Sequence, residues 1–113
     1  MRDLIVEGMH EKKAEAVVSI DLSEVEEAVC EHFVICHAGT GTQVKAIAES
    51  VMKIVKEKNG EVPWQKEGFQ NLEWVLIDYT DVVAHIFLKE MRMHYRLEDL
   101  WSDGIISEYE EKS

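Results

Sequence analysis

The chain has 113 residues and a formal net charge of −11, from 23 acidic and 12 basic side chains. That length suits one domain with a single modest core. No apolar run is long enough to cross a bilayer and the first residues do not resemble a leader, so we expect a cytoplasmic protein without membrane contact. Because an acidic surface repels phosphate backbones, the charge predicts little direct nucleic acid contact and favours a basic protein partner.

The first third of the chain predicts one helix and two strands. Apolar residues from Leu4 to Met9 indicate an N-terminal helix, although Gly8 weakens the pattern. Segments rich in β-branched residues at 16–22 and 32–37 indicate strands. Cys36 lies in the second strand and is expected to be a small buried side chain, and both cysteines are expected to be free thiols without a zinc site.

Two hydroxyl residues are predicted to begin helices. Ser23 is the predicted cap of a short helical piece through Val25 and Val29. Thr42 is the predicted N-cap of the longest helix, which ends at Asn59-Gly60 in a left-handed cap. Its apolar stripe consists of Val44, Ile47, Ala48, Val51 and Val55.

The centre of the chain predicts an edge strand and a β-hairpin. A short strand at 62–66 contains Pro63, which favours a sheet edge, and a loop follows at 67–71. Segments 74–79 and 82–87 indicate two strands joined by a turn at Thr80-Asp81. The register that follows pairs Tyr79 with Val82 and Asp78 with Val83. One hairpin face then holds Val75, Ile77, Tyr79, Val82, Ala84 and Ile86, and the other holds Trp74, Leu76, Asp78, Val83, His85 and Phe87.

A helix at 89–95 follows the hairpin, and a last turn is predicted to close the core over the sheet with Leu97, Leu100 and Trp101. From Ser102 the chain is polar and acidic, which predicts a folded domain at 1–101 and a flexible tail at 102–113. Strand, strand, helix, strand, hairpin and helix in this order predict an α/β domain with a mixed sheet and flanking helices.

Several motifs follow one another along nearly the whole chain. They are Lys12 to Glu15 with Ile20 to Leu22, Phe33 to Cys36 with Gly39 to Ala48, the hairpin from Trp74 to Phe87, and Met91 to Trp101. In this order and spacing they resemble the ribosomal silencing factor family, also called the Iojap family. The resemblance implies a fold related to the nucleotidyltransferases and a protein without catalytic activity or cofactor.

The resemblance also implies a partner and an effect. It implies binding to the large ribosomal subunit through ribosomal protein L-fourteen, which blocks joining of the small subunit and represses translation when nutrients are scarce. A homodimer of the free protein is a further expectation of this kind. The expected contact residues are Trp74, Asp78, Tyr79, Asp81, His85 and Arg92. Acids would pair with basic residues of the partner, and aromatic side chains would act as anchors.

A catalytic alternative uses the loop Gly39 to Thr42 and the carboxylates of Asp78 and Asp81 with magnesium. The loop lacks the ending of a P-loop, and no aspartate pair follows it, so we favour a tight turn between strand and helix. Four residues depart from the family pattern: the pair Glu31-His32, His37, and Thr80, which stands where glycine is usual. Because a β-branched residue disfavours positive φ, we expect Thr80 to affect the hairpin turn.

Overall fold

The computed structural model describes residues 1–28 and 30–110. In chain order these residues form α1 (Arg2–Glu11), β1 (Glu15–Asp21), β2 (His32–Ala38), α2 (Gly41–Asn59), β3 (Gln65–Glu67), β4 (Trp74–Asp78), β5 (Val82–Leu88), α3 (Lys89–Tyr95), α4 (Leu97–Leu100) and β6 (Ile105–Glu108). The predicted N-terminal helix, first two strands, hairpin and helix at 89–95 are confirmed. Cys30 and Cys36 are free, and Cys36 is buried.

The strands form one mixed sheet in the order β3-β4-β5-β2-β1-β6. Strands β2 and β5 run parallel, and the other neighbouring strands run antiparallel. A parallel pair needs a long crossover, and α2 lies within the connection from β2 to β5. This architecture confirms the predicted α/β class, a single domain with a mixed sheet and flanking helices.

The sheet buries apolar side chains on both faces, under different helices. Helices α1 and α2 cover one face, and α3 and α4 partly cover the other. The hairpin pairs in the predicted register, with Asp78 opposite Val83. Its alternate residues divide as predicted, because successive side chains of a strand point to opposite faces. The face beneath α1 and α2 carries Val75, Ile77, Tyr79, Val82, Ala84 and Ile86. The opposite face, partly covered by α3 and α4, carries Trp74, Leu76, Val83 and Phe87.

Helix α2 begins two residues earlier than predicted. Thr40, not Thr42, is its N-cap, and the Thr40 hydroxyl accepts a hydrogen bond from the backbone N–H of Gln43 at 3.2 Å. Thr40 has the extended backbone that an N-cap requires, whereas Thr42 lies within the first turn. The predicted end of the helix is confirmed, since Gly60 adopts a φ of 69° and donates its N–H to Lys56.

Two further predictions between the strands are corrected. The segment after Ser23 forms turns and no helix in its described part, because the Asp21 carboxylate accepts from both the N–H and the hydroxyl of Ser23. Val29, predicted to share that helical piece, lies outside the described residues. The edge strand is confirmed as an edge, but β3 spans Gln65–Glu67, because Pro63 lacks the N–H that a sheet ladder needs.

The C-terminal segment differs from expectation. Leu97 is buried as predicted, but Leu100, the last residue of α4, is 71% exposed and does not close the core. Trp101 is half-buried. Within the predicted tail, β6 pairs with the edge of β1, and the Tyr109 hydroxyl lies 3.1 Å from that of Ser19. Backbone pairing of this kind does not require apolar side chains, and those of β6 are exposed. The flexibility of the tail stays a prediction.

Candidate docking surface

The hairpin turn is tight and conformationally unfavourable for its residue. The Tyr79 N–H donates to the Val82 carbonyl at 3.0 Å, which closes the two-residue turn. Thr80 adopts a φ of 78°, a left-handed conformation that a β-branched residue disfavours. The Asp78 carboxylate accepts from the Thr80 N–H at 2.7 Å and stabilises this conformation. Asp78 therefore supports the turn and also presents charge beside it.

One face of β4 is only partly covered. Its alternate residues Trp74, Leu76 and Asp78 are half-buried, whereas Val75 and Ile77 between them are buried. Trp64 lies beyond the end of this row and is 73% exposed. It shares a shallow cleft with Asp78, and its backbone N–H donates to the Asp78 carbonyl at 2.7 Å. Sequence reasoning missed Trp64, although a tryptophan directly after Pro63 in a polar edge segment was a usable indication.

Carboxylates surround the hairpin turn. Asp81 is exposed and lines a second cleft with Glu31 and Thr80. Cys30 lines both clefts, so the two adjoin. Aromatic and acidic groups are thus placed side by side. We call the five residues Trp64, Trp74, Leu76, Asp78 and Asp81 the docking surface.

The Trp74 indole packs within a cluster of aromatic side chains. Its indole stacks on the ring of Phe87, with centroids 5.1 Å apart and planes at 23°, and it contacts the ring of Tyr95 at 4.5 Å. The indole N–H donates to Nδ1 of His85 at 3.0 Å. Packing and hydrogen bonding together restrict the orientation of this half-buried ring. The sequence alone does not predict that orientation.

Three predicted contact residues lie beneath the surface. His85 is 3% exposed, and burial lowers the pKa of its imidazole to about 3, so it is neutral at physiological pH. Tyr79 is 8% exposed on the opposite face of the hairpin, among the residues packed under α1 and α2, and burial raises its pKa to about 12. Both side chains are therefore buried in the free protein, and their role in a contact stays a prediction.

Arg92 is also buried, and it joins α3 to the sheet. Its guanidinium donates to the carbonyl of Ala16 at 2.6 Å and forms an ion pair with Glu98 at 3.0 Å. It also lies 3.1 Å from Nδ1 of His37. Because these partners satisfy a buried charge, Arg92 is placed as a structural residue. Of the predicted contact residues, Trp74 and Asp78 therefore lie half-buried on one face of β4, and Asp81 is exposed in the adjoining turn. Tyr79, His85 and Arg92 are buried.

The loop at Gly39 to Thr42 is a compact turn into α2. Thr40 caps the helix, and the side chain of Leu72 lies against Gly41. Among residues 1–28 and 30–110, no group of three or more His, Cys, Asp or Glu side chains is arranged to hold a metal ion. In the same part of the chain, no helix has the length and apolarity needed to span a membrane.

Comparison with known proteins agrees with this architecture. The model of the family described as "Ribosomal silencing factor during starvation" matches residues 1–113. The ribosomal silencing factor RsfS of Halalkalibacterium halodurans is 39% identical over 107 residues, which cover 95% of this chain and 90% of that protein. The protein of the same name from Bacillus subtilis is 38% identical over 98 residues, covering 87% of this chain and 81% of that protein.

A solved structure shares the fold. The crystal structure of a protein from Chromobacterium violaceum superposes with a TM-score of 0.83 at 31% sequence identity, covering 88% of this chain and 82% of that chain. The family match extends over the whole sequence, and the relatives agree with it in name. This chain therefore belongs to the ribosomal silencing factor family.

Proposed function

We propose that this protein binds the large ribosomal subunit in the cytoplasm and sterically blocks joining of the small subunit, which represses translation when nutrients are scarce. The observation that supports this most directly is the family match over residues 1–113. Blocking by occupancy needs a stable domain and one specific contact surface, and it needs no catalytic group. The protein acts as a binding module and not as an enzyme.

The docking surface supports a basic protein as the immediate partner. Asp78 lies on the same partly covered face of β4 as Trp74, Asp81 lies in the adjoining turn, and the chain as a whole carries a net charge of −11. Tryptophan is typical of the residues that dominate protein interfaces, and acidic groups on the same surface favour a basic partner. We propose ribosomal protein L-fourteen as this partner. The same partly apolar surface would be available for a homodimer of the free protein.

Asp81 offers the cleaner test of the surface, because Asp78 also holds the turn through its hydrogen bond to Thr80. We expect Asp81→Lys to weaken binding to purified large subunits by roughly tenfold or more, since a charge reversal at an interface replaces attraction by repulsion. Co-sedimentation through a sucrose cushion over a range of protein concentrations measures the affinity. Addition of small subunits then measures how much joined ribosome still forms.

The matched control is Glu49→Lys, the same change of charge at an exposed position of α2, on the side of the sheet opposite the docking surface. It should bind large subunits as the wild type does and still prevent subunit joining. Equal weakening by both variants would mean that only net charge matters and would remove Asp81 from the contact. Failure of the wild type to bind at low salt would overturn the proposed function.

A further inference from the structure

A buried histidine is hydrogen-bonded to the principal aromatic side chain of the docking surface. Trp74 pairs with Phe87 across the hairpin and His85 pairs with Leu76, so Trp74 and His85 are diagonal neighbours on one face of the sheet. The 3.0 Å hydrogen bond from the indole N–H to Nδ1 of His85 links a half-buried ring to one that is almost fully buried.

The direction of this hydrogen bond determines the state of the imidazole. The indole N–H can only donate, so Nδ1 must accept and the proton of a neutral ring must lie on Nε2. Burial keeps the ring neutral, because desolvation opposes protonation. His85 therefore remains a hydrogen-bond acceptor for Trp74 throughout the physiological pH range.

The other nitrogen of His85 makes no compensating contact. Nε2 is buried, and within residues 1–28 and 30–110 it has no hydrogen-bond partner. The imidazole instead meets the ring of Phe33 edge to face, with centroids 4.6 Å apart. An unpaired buried N–H costs stability, and an apolar side chain at this position would avoid that cost. The interaction that distinguishes a histidine from an apolar side chain at this position is the hydrogen bond accepted by Nδ1.

We infer that His85 is a positioning residue, which holds the Trp74 indole in the orientation that the partner surface meets. This rests on the proposed function. Stacking on Phe87 fixes the plane of the indole, and the hydrogen bond to His85 selects which edge of that plane points inward. A ring already oriented in the free protein loses less conformational freedom on binding, so the complex is tighter without any new contact to the partner.

Two substitutions separate the acceptor from the rest of the side chain. His85→Asn places an amide oxygen near the position of Nδ1, and His85→Leu removes the acceptor while keeping an apolar side chain. We expect His85→Leu to weaken binding to large ribosomal subunits by about fivefold to tenfold, the range expected when a side chain must be ordered on binding. His85→Asn should bind within about twofold of the wild type. Urea denaturation of each variant shows whether it is folded, and His85→Val replaces His85→Leu if the leucine does not pack.

The same comparison in a Trp74→Phe background gives the decisive control. Phenylalanine has no N–H to donate, so the acceptor at position 85 loses its role there. We expect the leucine and asparagine variants to bind equally well in that background. A difference that persists without the indole N–H would show that His85 acts through general packing, and it would overturn the inference.

A measurement on the free protein tests the positioning without ribosomes. The Trp74 indole N–H gives a resonance in a proton–nitrogen NMR spectrum, assigned by its loss in Trp74→Phe. We expect slow hydrogen exchange of this N–H in the wild type and His85→Asn, and exchange at least tenfold faster in His85→Leu, because a hydrogen-bonded N–H is protected. Equal exchange in all three would overturn the inference. Absence of wild-type binding with this pattern intact would instead refute the proposed function and leave the orientation of Trp74 established.

Discussion

At the scale of single residues, the buried His85 makes stability depend on pH. Burial lowers the pKa of its imidazole to about 3 in the folded protein, against the 6.5 of an unperturbed histidine. Between these values the unfolded chain binds a proton that the folded chain does not bind. The contribution of the neutral His85 to the free energy of unfolding is therefore complete above about pH 6.5. It is lost as the pH falls toward 3, at up to about 1.4 kcal/mol per pH unit.

Urea denaturation of the wild type and His85→Asn at a series of pH values measures this contribution. The acidic residues titrate in both proteins, so the difference between their free energies of unfolding isolates His85. We expect that difference to shift in favour of the variant as the pH is lowered. A difference independent of pH between 6.5 and 4 would contradict a buried neutral imidazole.

Thr80 stores backbone strain in the hairpin turn. Its φ of 78° is unfavourable for any residue with a β-carbon, and most of all for a β-branched residue. We expect Thr80→Gly to raise the free energy of unfolding by about 1 kcal/mol, because glycine adopts this conformation without steric cost, which outweighs its greater freedom in the unfolded chain.

Urea denaturation of Thr80→Gly measures this gain, with Thr42→Gly as the control. Thr42 lies in the first turn of α2, where glycine should be destabilising by a few tenths of a kcal/mol. A loss of stability in Thr80→Gly would mean that the threonine side chain makes a contribution larger than the strain.

At the scale of elements, the packing of α1 against α2 depends on a glycine. A β-carbon added at Gly8 would lie 2.7 Å from the Cα of Val51, and the Ser50 hydroxyl donates to the Gly8 carbonyl at 2.8 Å. The backbones of the two helices thus approach closely at this point. The glycine that weakens the helical pattern in the sequence is required by the contact between the helices.

Gly8→Ala therefore sets helix propensity against packing. Alanine favours a helix by about 1 kcal/mol over glycine, but moving two packed helices apart costs more, typically about 1–3 kcal/mol. We expect a net loss of stability, seen as a lower thermal midpoint. Gly39→Ala is the control, since nothing lies within 4 Å of a β-carbon added there, and it should be close to neutral. A Gly8→Ala variant as stable as the wild type would contradict this close approach.

At the scale of the whole molecule, the net charge of −11 should make subunit binding sensitive to salt. The Debye length, over which salt screens electrostatic interactions, falls from about 10 Å at 0.1 M to roughly half that at 0.5 M ionic strength. We expect the affinity for large subunits to fall by more than about threefold over this range at constant magnesium. Asp81→Lys should show a smaller dependence. Tighter binding at high salt would instead indicate a contact beside RNA phosphates, where screening relieves repulsion.

The sequence alone determined the family, the α/β class and the register of the hairpin. These follow from local patterns: alternation along the strands fixes which residues share a face, and the two residues Thr80 and Asp81 fix the pairing of Asp78 with Val83. No local pattern predicted the pairing of β6 with β1. That pairing depends on the open edge of β1, which lies far away in the chain.

Only the tertiary structure decided which residues of the candidate site reach the surface. Tyr79 and His85 were predicted contact residues together with Trp74, yet helices and aromatic rings from distant segments bury them, whereas Trp64 remains exposed. Burial is a property of what packs over a side chain, and the covering residues lie far apart in the sequence. A local pattern can therefore assign a residue to a face, while the packing of the whole molecule decides whether that face meets a partner.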